Sequence, residues 1–549
     1  MTKTETEKNL EINYPHVEIP QYNSRISLIL RSEAPIDTKT LTKKQREDLN
    51  STTVIAGQAG RMCYTNSSPS PLDYNLKSNS YRETTDKIST QTREKGHSST
   101  REHVHYTFKI DGISRNAIYY LHSHPHYVTD MQSQRYCNFS VTKPIVPELE
   151  NPEIQQRVND AAKDLVTGYN DLYKLLTPTT KELILERFPS RNNSKWEAKV
   201  NDEACKKSQE IARYLLPLGT PTNLYHTISE LTLLRLYHQS QTMPVQPEMR
   251  QIIDGMVGTV AQVDLKILQE ISQPLSQDIE PILQIEDFSK FADEYDSVLA
   301  NYQIKLDDDN QLPSNKLARA VRETLGKSSQ ELPNEEALDL LLNPAKNKML
   351  SETNGDITID RLGQCLNQVS LSFLISLSHV ANEQFHRHRT FDHTEQIQLS
   401  IPQKDSDIIV PTILEKNPEA LNLYLSIQKR HNIVLQDLFD QGVALDKLQY
   451  LFTNATRVRK SVNAPLGAIY HFIKLRTCLT AQEEIYHIAV SLTQQILDLD
   501  PALAKYFQNP SPCGIRHQAG EKPLCPEGDR YCGVRVWDIN IKDFPKRYI

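Results

Sequence analysis

The sequence predicts an α+β protein made of two tandem copies of one domain, and three observations support this. The chain has 549 residues, which is too long for a single hydrophobic core. Strand-like alternation at residues 24–33 and 103–110 is followed by long segments of helical periodicity. Residues 121–140 align without gaps with residues 385–404, at a constant offset of 264. The repeat favours tandem copies over the alternative of two unrelated helical halves.

The first half starts with a polar arm at residues 1–20 and continues into the strand at 24–33. Residues 52–65 are expected to form a helix, and the strand at 103–110 to end in a turn at Asp111-Gly112, followed by another helix. Helical periodicity then covers most of residues 151–215. The further helices that we predict in this half are 223–237 and 247–271.

The second half is expected to begin after a boundary region at residues 272–298. A short strand near 302–310 and a helix at 315–326 come first. The apolar stretch at 361–388 is then predicted to be one helix, and residues 464–499 another long one. The predicted organisation is an arm at 1–20, a first copy at 21–280, a second copy at 281–505 and a tail at 506–549 that contains cysteine and histidine.

Composition excludes several classes of protein. The formal net charge of −7 offers no general attraction for nucleic acid, so a basic site has to be local. The sequence has no apolar run long enough for a membrane span, and the polar N-terminus does not resemble a secretory signal. Eight scattered cysteines are typical of reduced thiols in a cytoplasmic protein. We therefore expect a soluble cytoplasmic chain without nucleic-acid or membrane partners.

The two copies keep complementary parts of one motif. The first copy has Ser133 and Arg135 in "SQRY", but "SHP" at 123–125. The second has "RHR" at 387–389, but Ile397 and Leu399 where the serine and arginine would follow. Planar guanidinium groups bind phosphate well, so we interpret the two half-motifs as two walls of one anion site. A solvated helix end for "RHR", and a plain surface pair for Ser133 and Arg135, are the alternatives.

These motifs resemble those of the flavin-dependent thymidylate synthases. That family has an arginine-histidine-arginine triplet followed by a glutamate, a serine and an arginine-tyrosine pair. Its glycine-histidine, glutamate-histidine and Thr-Phe strand resembles "GHSSTREHVHYTF" at 96–108, and its later arginines resemble "ARYLLP" and "KLRTCLTAQEEI". The resemblance covers most of the chain as two diverged copies, and it implies a small antiparallel sheet packed with long helices in each copy.

The resemblance implies reductive methylation of dUMP to dTMP, with FAD as cofactor and with methylenetetrahydrofolate and NADPH as co-substrates. Because the family builds its sites between the subunits of a homotetramer, a homodimer of this chain would form a pseudo-tetramer. Residue by residue, it implies catalytic roles for Ser133 and Arg476. It implies substrate binding by Arg135, Arg213, Gln384, Arg387 and Glu395, and cofactor binding by His103, Arg387, His388, Arg389, Asn463 and Gln482.

Each role has an alternative. Arg476 could stabilise charge on the pyrimidine carbonyls, or be an exposed helical arginine paired with Glu483 or Glu484. His103 could neighbour the flavin or be a structural histidine. The family's Asn-x-Arg segment survives only as Asn463 without its arginine, which weakens the predicted flavin site. A catalytically silent nucleotide-binding or scaffolding paralogue is therefore the rival interpretation, and a metal-dependent hydrolase is the third.

Two groups of residues suggest metal binding. Six histidines fall between residues 97 and 126, but no acidic or cysteine partner recurs at a recognised spacing. The tail holds Cys513, His517, Cys525 and Cys532 among glycines and prolines, and three cysteines with one histidine can close a structural zinc site. The spacings lack the usual short cysteine pair, so reduced loop cysteines remain the alternative.

Overall fold

The computed structural model describes residues 14–32, 42, 52–66, 68–122, 126–242, 246–271, 289–300, 302–353, 355–395, 401–402 and 407–549. The chain divides into two compact units. The first lies within residues 1–133, 143–147 and 219–284, and the second within 134–142, 148–218 and 285–549. The long segment 148–218, which precedes the boundary between the sequence copies, therefore belongs to the second unit.

The first unit contains a five-stranded antiparallel sheet in the order β1-β2-β3-β5-β4. Its strands are β1 (His16–Ile19), β2 (Ser24–Arg31), β3 (His105–Ser114), β4 (Val128–Met131) and β5 (Pro221–Ser229). In the central strand β3, the buried Tyr106, Phe108 and Ile110 alternate with outward-facing residues, as the sequence pattern predicts. The turn expected at Asp111-Gly112 is instead a strand irregularity, where Gly112 has a φ of 76° and lies close to the backbone of Asn23.

The helices of the first unit cover its sheet and its edges. They are α1 (Thr52–Met62), α2 (Asp73–Leu76), α3 (Asn79–Glu94), α4 (Arg115–Leu121), and, after β5, α7 (Glu230–Thr242), α8 (Pro247–Ala261) and α9 (Ile267–Ile271). Helix α8 packs on β1 and β2, where a Cβ atom at Gly255 would lie 2.4 Å from Ile26. This close approach buries Ile252, Ile253 and Met256 against the sheet.

The second unit contains a four-stranded antiparallel sheet in the order β6-β7-β9-β8. Its strands are β6 (Ile304–Leu306), β7 (Ser370–Ser378), β8 (Asp392–Glu395) and β9 (Arg457–Pro465). The central pair β7 and β9 is in register from Ser370↔Pro465 to Ser378↔Arg457. Leu371, Phe373, Ile375 and Leu377 of β7 are fully buried in the largest core of the unit.

The helices of the second unit come from both sides of the boundary in sequence. They are α5 (Pro152–Arg187), α6 (Glu197–Ala212), α10 (Ser289–Leu299), α11 (Pro313–Leu325), α12 (Asn334–Leu342), α13 (His379–Phe385), α14 (Pro418–Asp440), α15 (Leu445–Leu448), α16 (Leu466–Arg476), α17 (Glu483–Leu499) and α18 (Pro512–Ala519). Helices α5, α6 and α14 pack together, with Gly168 of α5 against Ile427 of α14.

The repeat is visible in the element boundaries. Strand β4 and helix α4 in the first unit correspond to β8 and α13 in the second at the offset of 264. The strand-helix-helix series that starts at β5 corresponds to the one that starts at β9 at an offset of 236. Both copies are α+β with a small antiparallel sheet and long helices, so the predicted fold class is confirmed.

The same buried contact recurs in both copies. Ser114 is the N-cap of α4, and its main-chain N–H and hydroxyl donate to Glu248 at 2.9 and 2.6 Å. Ser378 is the N-cap of α13 and donates in the same way to Glu484 at 2.6 and 2.5 Å. A carboxylate is thus fixed beneath the first turn of each short helix, where the helix dipole favours negative charge.

Four predicted helices are wrong. The helix predicted at 247–271 is α8 and α9, which are separated by residues 262–266. Residues 223–237 contain most of β5 before α7 starts at Glu230, and 361–388 contain β7 before α13. Both are central strands whose apolar residues look helical in a short window, and their pairing with β3 and β9 decides the outcome. The helix predicted at 464–499 is β9 residues followed by α16 and α17, because the Gln482 side chain caps a new helix by accepting from the Ile485 N–H.

Several residues used in the sequence predictions lie outside the described part of the chain. Residues 16–19 of the arm form β1, whereas 1–13 lie outside the described residues, as do "SHP" at 123–125 and both Ile397 and Leu399. Within the described part of the chain, no helix has the length and apolar character needed to cross a membrane.

Candidate functional site

Arg135 of the first copy lies in the second compact unit. Its Nη2 donates to the Thr480 carbonyl at 3.0 Å and lies 3.3 Å from the Glu210 carboxylate. Burial opposes the charge of Arg135, but the Glu210 carboxylate outweighs it and the pKa of Arg135 is raised. The guanidinium is therefore a fixed cation beside the loop that joins α16 to α17.

Glu210 gathers the basic groups of this region. It is 4 % exposed near the end of α6, within 4 Å of Arg135, Lys207 and Arg547. Burial raises the pKa of a carboxyl, but these cations and Arg213 outweigh it and hold the pKa of Glu210 well below its usual range. Arg213 follows directly, buried, with its Nε donating to the Glu210 carbonyl at 3.0 Å.

The triplet 387–389 follows the C-terminus of α13. Arg387 and Arg389 are exposed, whereas His388 is only 7 % exposed. The Arg476 Nε donates to the His388 Nε2 at 3.0 Å, and the imidazole packs against the edge of Phe472. Burial, followed by the charge of Arg476, lowers the pKa of His388 well below its ordinary value. His388 is therefore a neutral acceptor that orients Arg476.

Three guanidinium groups from distant parts of the sequence share one electrostatic neighbourhood. Burial, followed by the charges of Arg387 and Arg135, lowers the pKa of Arg476 to about 10. Among the described residues, neither Arg387 nor Arg476 forms an ion pair. Mutual repulsion of this kind is relieved by an anion, so this set of guanidinium groups suits a phosphate or an oxyanion.

The alternative partners considered for Arg476 are occupied elsewhere. Glu483 accepts from the Thr412 N–H, and Glu484 accepts from Ser378 and from the Tyr214 hydroxyl at 2.8 Å. Both carboxylates are buried, and burial raises the pKa of each. An exposed ion pair between α16 and these residues is therefore not what the structure contains.

Glu395 ends strand β8 beside two histidines and a lysine. Its Oε2 lies 2.8 Å from the Nζ of Lys460, which is fully buried, and its Oε1 lies 3.6 Å from His386. The Nε2 of His393 lies 3.3 Å from the Nδ1 of His386. His386, His393 and Glu395 form the one set of possible metal ligands within 4.8 Å of one another among the described residues. The Lys460 ammonium already balances the charge of Glu395.

Two residues predicted to bind cofactor have internal roles. Gln482 is buried, and it donates to the Tyr214 hydroxyl at 2.6 Å while its Oε1 caps α17. Both ends of this amide are used within the fold, because the helix break at 477–482 needs a cap. Asn463 is exposed on β9 and accepts from the Ser372 hydroxyl at 3.2 Å.

The remaining predicted residues are Gln384, Ser133 and His103. Gln384 is buried on α13, one turn before the triplet. Ser133 and His103 belong to the first compact unit, where Ser133 is half-buried after β4 and His103 is exposed before β3.

The cysteines of the tail lie with a fourth thiol that the sequence did not indicate. Burial raises the pKa of Cys513, and Cys525, Cys478 and Cys532 raise it further. Cys478 follows α16, whereas His517 is exposed on α18. Among the described residues, the predicted set Cys513, His517, Cys525 and Cys532 does not come within 4.8 Å as a group. Among the described residues, a set with Cys478 in place of His517 does not meet this distance either.

Sequence reasoning did not identify Glu210, Lys460 or Arg547. Arg547 is 1 % exposed, and its Nε donates to the Leu479 carbonyl at 2.8 Å. Glu210 offered a signal, since a carboxylate three residues before Arg213 in the apolar "EIARYLL" is expected to be buried and paired. For Lys460 and Arg547 no comparable local pattern exists.

Comparison with known proteins finds the same family in both halves of the chain. The family model described as "Thymidylate synthase complementing protein" matches residues 47–264 and 305–502. A flavin-dependent thymidylate synthase of Clostridium tetani is 26% identical over 211 residues, covering 38% of this chain and 78% of that protein. One from Nitratidesulfovibrio vulgaris is 28% identical over 172 residues, covering 31% of this chain and 61% of that protein. A solved structure of the UMP/dUMP methylase PolB from Streptomyces cacaoi aligns over 47% of this chain and 97% of that one, at 15% identity and a TM-score of 0.30, which is too low to support an argument.

Proposed function

Because the chain belongs to the thymidylate synthase complementing protein family, we propose that it binds dUMP in the second unit and methylates it to dTMP with flavin chemistry. The observation that carries this proposal is the group formed by Arg135, Arg387 and Arg476, with no carboxylate on the last two among the described residues. Two of these arginines come from the second copy and one from the first.

The proposed roles follow from exposure and bonding. Arg387 is exposed and Arg135 is held by Glu210, so together they suit the phosphate of the nucleotide. Arg476 is buried and oriented by His388, which suits a fixed cation placed toward a pyrimidine carbonyl where negative charge develops. Arg213 remains a proposed contributor to the same nucleotide, and the catalytic role of Ser133 remains a proposal.

The residues present fit part of a flavin cofactor. Arg387, Arg389 and Asn463 are exposed, and the two guanidinium groups suit the diphosphate of FAD. When bound, FAD would carry the reducing electrons that NADPH supplies, while methylenetetrahydrofolate would supply the carbon. His388 and Gln482 act as positioning residues in this proposal, since their polar atoms bond Arg476 and Tyr214. The proposed assembly is a homodimer that forms a pseudo-tetramer.

A second function is favoured by the contacts of Glu395 and Gln482. Lys460 neutralises Glu395, and Gln482 is used within the fold, so the second copy has lost polar groups that the family site would direct at its ligands. A paralogue that binds nucleotides without the redox reaction would have this pattern. Visible flavin absorbance of the purified chain distinguishes the two, since a colourless protein that does not take up FAD supports the silent paralogue.

Calorimetric titration of dUMP tests the composite site. We expect Arg135→Ala and Arg387→Ala each to weaken dUMP binding by about tenfold or more, since a hydrogen bond to a charged group contributes roughly 1.5–3 kcal/mol. Arg430→Ala, an exposed arginine on α14, is the matched control and is expected to leave binding unchanged. A loss of affinity in only one of the two site variants would contradict a site that both copies share.

A further inference from the structure

A second basic cavity lies in the same unit, between the end of α5, helix α6 and the loops at 479–480 and 530–532. Its volume is about 400 Å³, which is enough for a small phosphorylated metabolite. Besides Arg135, its basic lining residues are Arg187, Arg191, Lys199, Lys206, Lys207 and Arg530. Three acidic side chains also line it, so basic groups exceed acidic ones by four.

The three carboxylates are already committed to particular cations. Glu203 pairs with Arg191 at 3.0 Å and Asp202 with Lys206 at 2.7 Å. Glu210 forms ion pairs with Arg135 at 3.3 Å and with Lys207 at 3.6 Å. Arg187 donates to the main-chain oxygen of Ile549 at 3.3 Å.

Lys199 and Arg530 are the basic lining residues that are not held by one of these carboxylates or by Ile549. Among the described residues, neither has a carboxylate partner, and both are exposed at the cavity. The ammonium of Lys199 lies 5.1 Å from the Trp196 ring, which places it on the α6 wall, and Arg530 faces the cavity from the tail. Two cations without acidic partners at one cavity, one from α6 and one from the tail, suit a ligand with at least two negative charges.

The cavity also offers aromatic surface. Tyr136 is 58% exposed, and the guanidinium of Arg135 lies 5.6 Å from its ring centroid. Tyr531 also lines the cavity, and its ring stacks on Trp537 with a centroid distance of 6.0 Å. The face of Phe188 is covered by Arg191 at 3.7 Å. A planar ring in the ligand would therefore stack on Tyr136 or Tyr531.

We propose that this cavity binds a phosphorylated, ring-bearing metabolite of the nucleoside diphosphate class, at a site separate from that of dUMP. The diphosphate lies between Lys199 and Arg530, and the ring lies on the tyrosines. Arg135 lines this cavity and also contributes to the positive charge felt by Arg476, so the two sites share one cation. The tail thus serves the protein as one wall of a ligand site.

Calorimetric titration of the full chain with inorganic pyrophosphate and with ADP, each at fixed ionic strength, tests the proposal. We expect ADP to bind more tightly than pyrophosphate, and Lys199→Glu and Arg530→Glu each to weaken both by about tenfold or more. Lys163→Glu changes an exposed lysine of α5 outside the cavity by the same charge and should leave both affinities unchanged. Tyr136→Ala should remove the advantage of ADP and keep pyrophosphate binding.

The outcomes separate this site from the proposed dUMP site. Arg387→Ala should leave ADP binding unchanged, and Lys199→Glu should leave dUMP binding unchanged. The proposal is overturned if pyrophosphate and ADP both fail to bind at millimolar concentration, or if Lys163→Glu weakens them as much as Lys199→Glu does. It is also overturned if Arg387→Ala abolishes ADP binding, because ADP would then occupy the dUMP site.

Discussion

Removing the hydroxyl of Ser378 is expected to destabilise the second compact unit strongly. That hydroxyl donates to the buried carboxylate of Glu484 at 2.5 Å and accepts from the Ala381 N–H at 3.1 Å. Loss of an N-cap costs about 0.5–2 kcal/mol, and loss of a hydrogen bond to a buried charged group about 1.5–3 kcal/mol. Because the two contacts share one atom and are not additive, we expect Ser378→Ala to cost about 2–4 kcal/mol.

The repeat supplies a matched comparison. Ser114→Ala removes the equivalent contacts to Glu248 and Ala117 in the first unit, so it should destabilise that unit by a similar amount. Urea unfolding followed by hydrogen exchange of peptides from each unit would assign each loss to its unit. A change below about 0.5 kcal/mol in the Ser378 variant would refute the reasoning, since it would mean that the hydroxyl contributes neither as cap nor as donor.

Three other outcomes are expected. Burial raises the pKa of Glu483 to about 7, above its ordinary 4.5. Between these two pH values the folded state holds a proton that the unfolded state has lost. The stability of the protein therefore falls as the pH rises from about 4.5 to about 7. The free energy of unfolding of Glu483→Gln, measured relative to the parent by urea unfolding, should therefore rise by up to about 3 kcal/mol from pH 5 to pH 8. The same difference between variant and parent at both pH values would contradict this. Lys460→Met should cost about 3–5 kcal/mol in the same assay, because it leaves Glu395 buried without its cation; a neutral result would show that Glu395 is protonated or hydrated. The buried Cys513, whose pKa is raised by burial, should be alkylated by iodoacetamide much more slowly than the exposed Cys63 when peptides are quantified by mass spectrometry, and equal rates would contradict its burial.

Local patterns sufficed for part of this fold. The alternation around Tyr106 predicted β3, and the offset of 264 predicted that β4 and α4 would have counterparts in the second copy. The strand at 370–378 was mistaken for helix although its serines alternate with Leu371, Phe373, Ile375 and Leu377. Its identity is decided by its pairing with β9, which starts 79 residues after the end of β7.

The candidate site was likewise predictable from the sequence only in part. The complementary half-motifs predicted that Arg135 and Arg387 contribute to one site; the charges of both lower the pKa of Arg476, and the shared site stays a prediction. The role of Gln482 was not predictable, since it depends on a helix break that only the packing of α16 and α17 produces. Lys460 and Glu395 face each other across β9 and β8, and no spacing in the sequence encodes that register.

The packing of α5 and α6 on α14 bears on how this protein could be divided for experiments. A gene made by duplication invites the expression of each half alone, with a cut near residue 285. Such a cut would leave Leu165, Tyr169 and Leu172 of α5 on one fragment. Their neighbours Tyr424 and Ile427 of α14 would be on the other fragment. Each fragment would then expose a large hydrophobic surface to water and tend to aggregate. Co-expression of the two fragments offers the practical route, because the exposed surfaces are complementary.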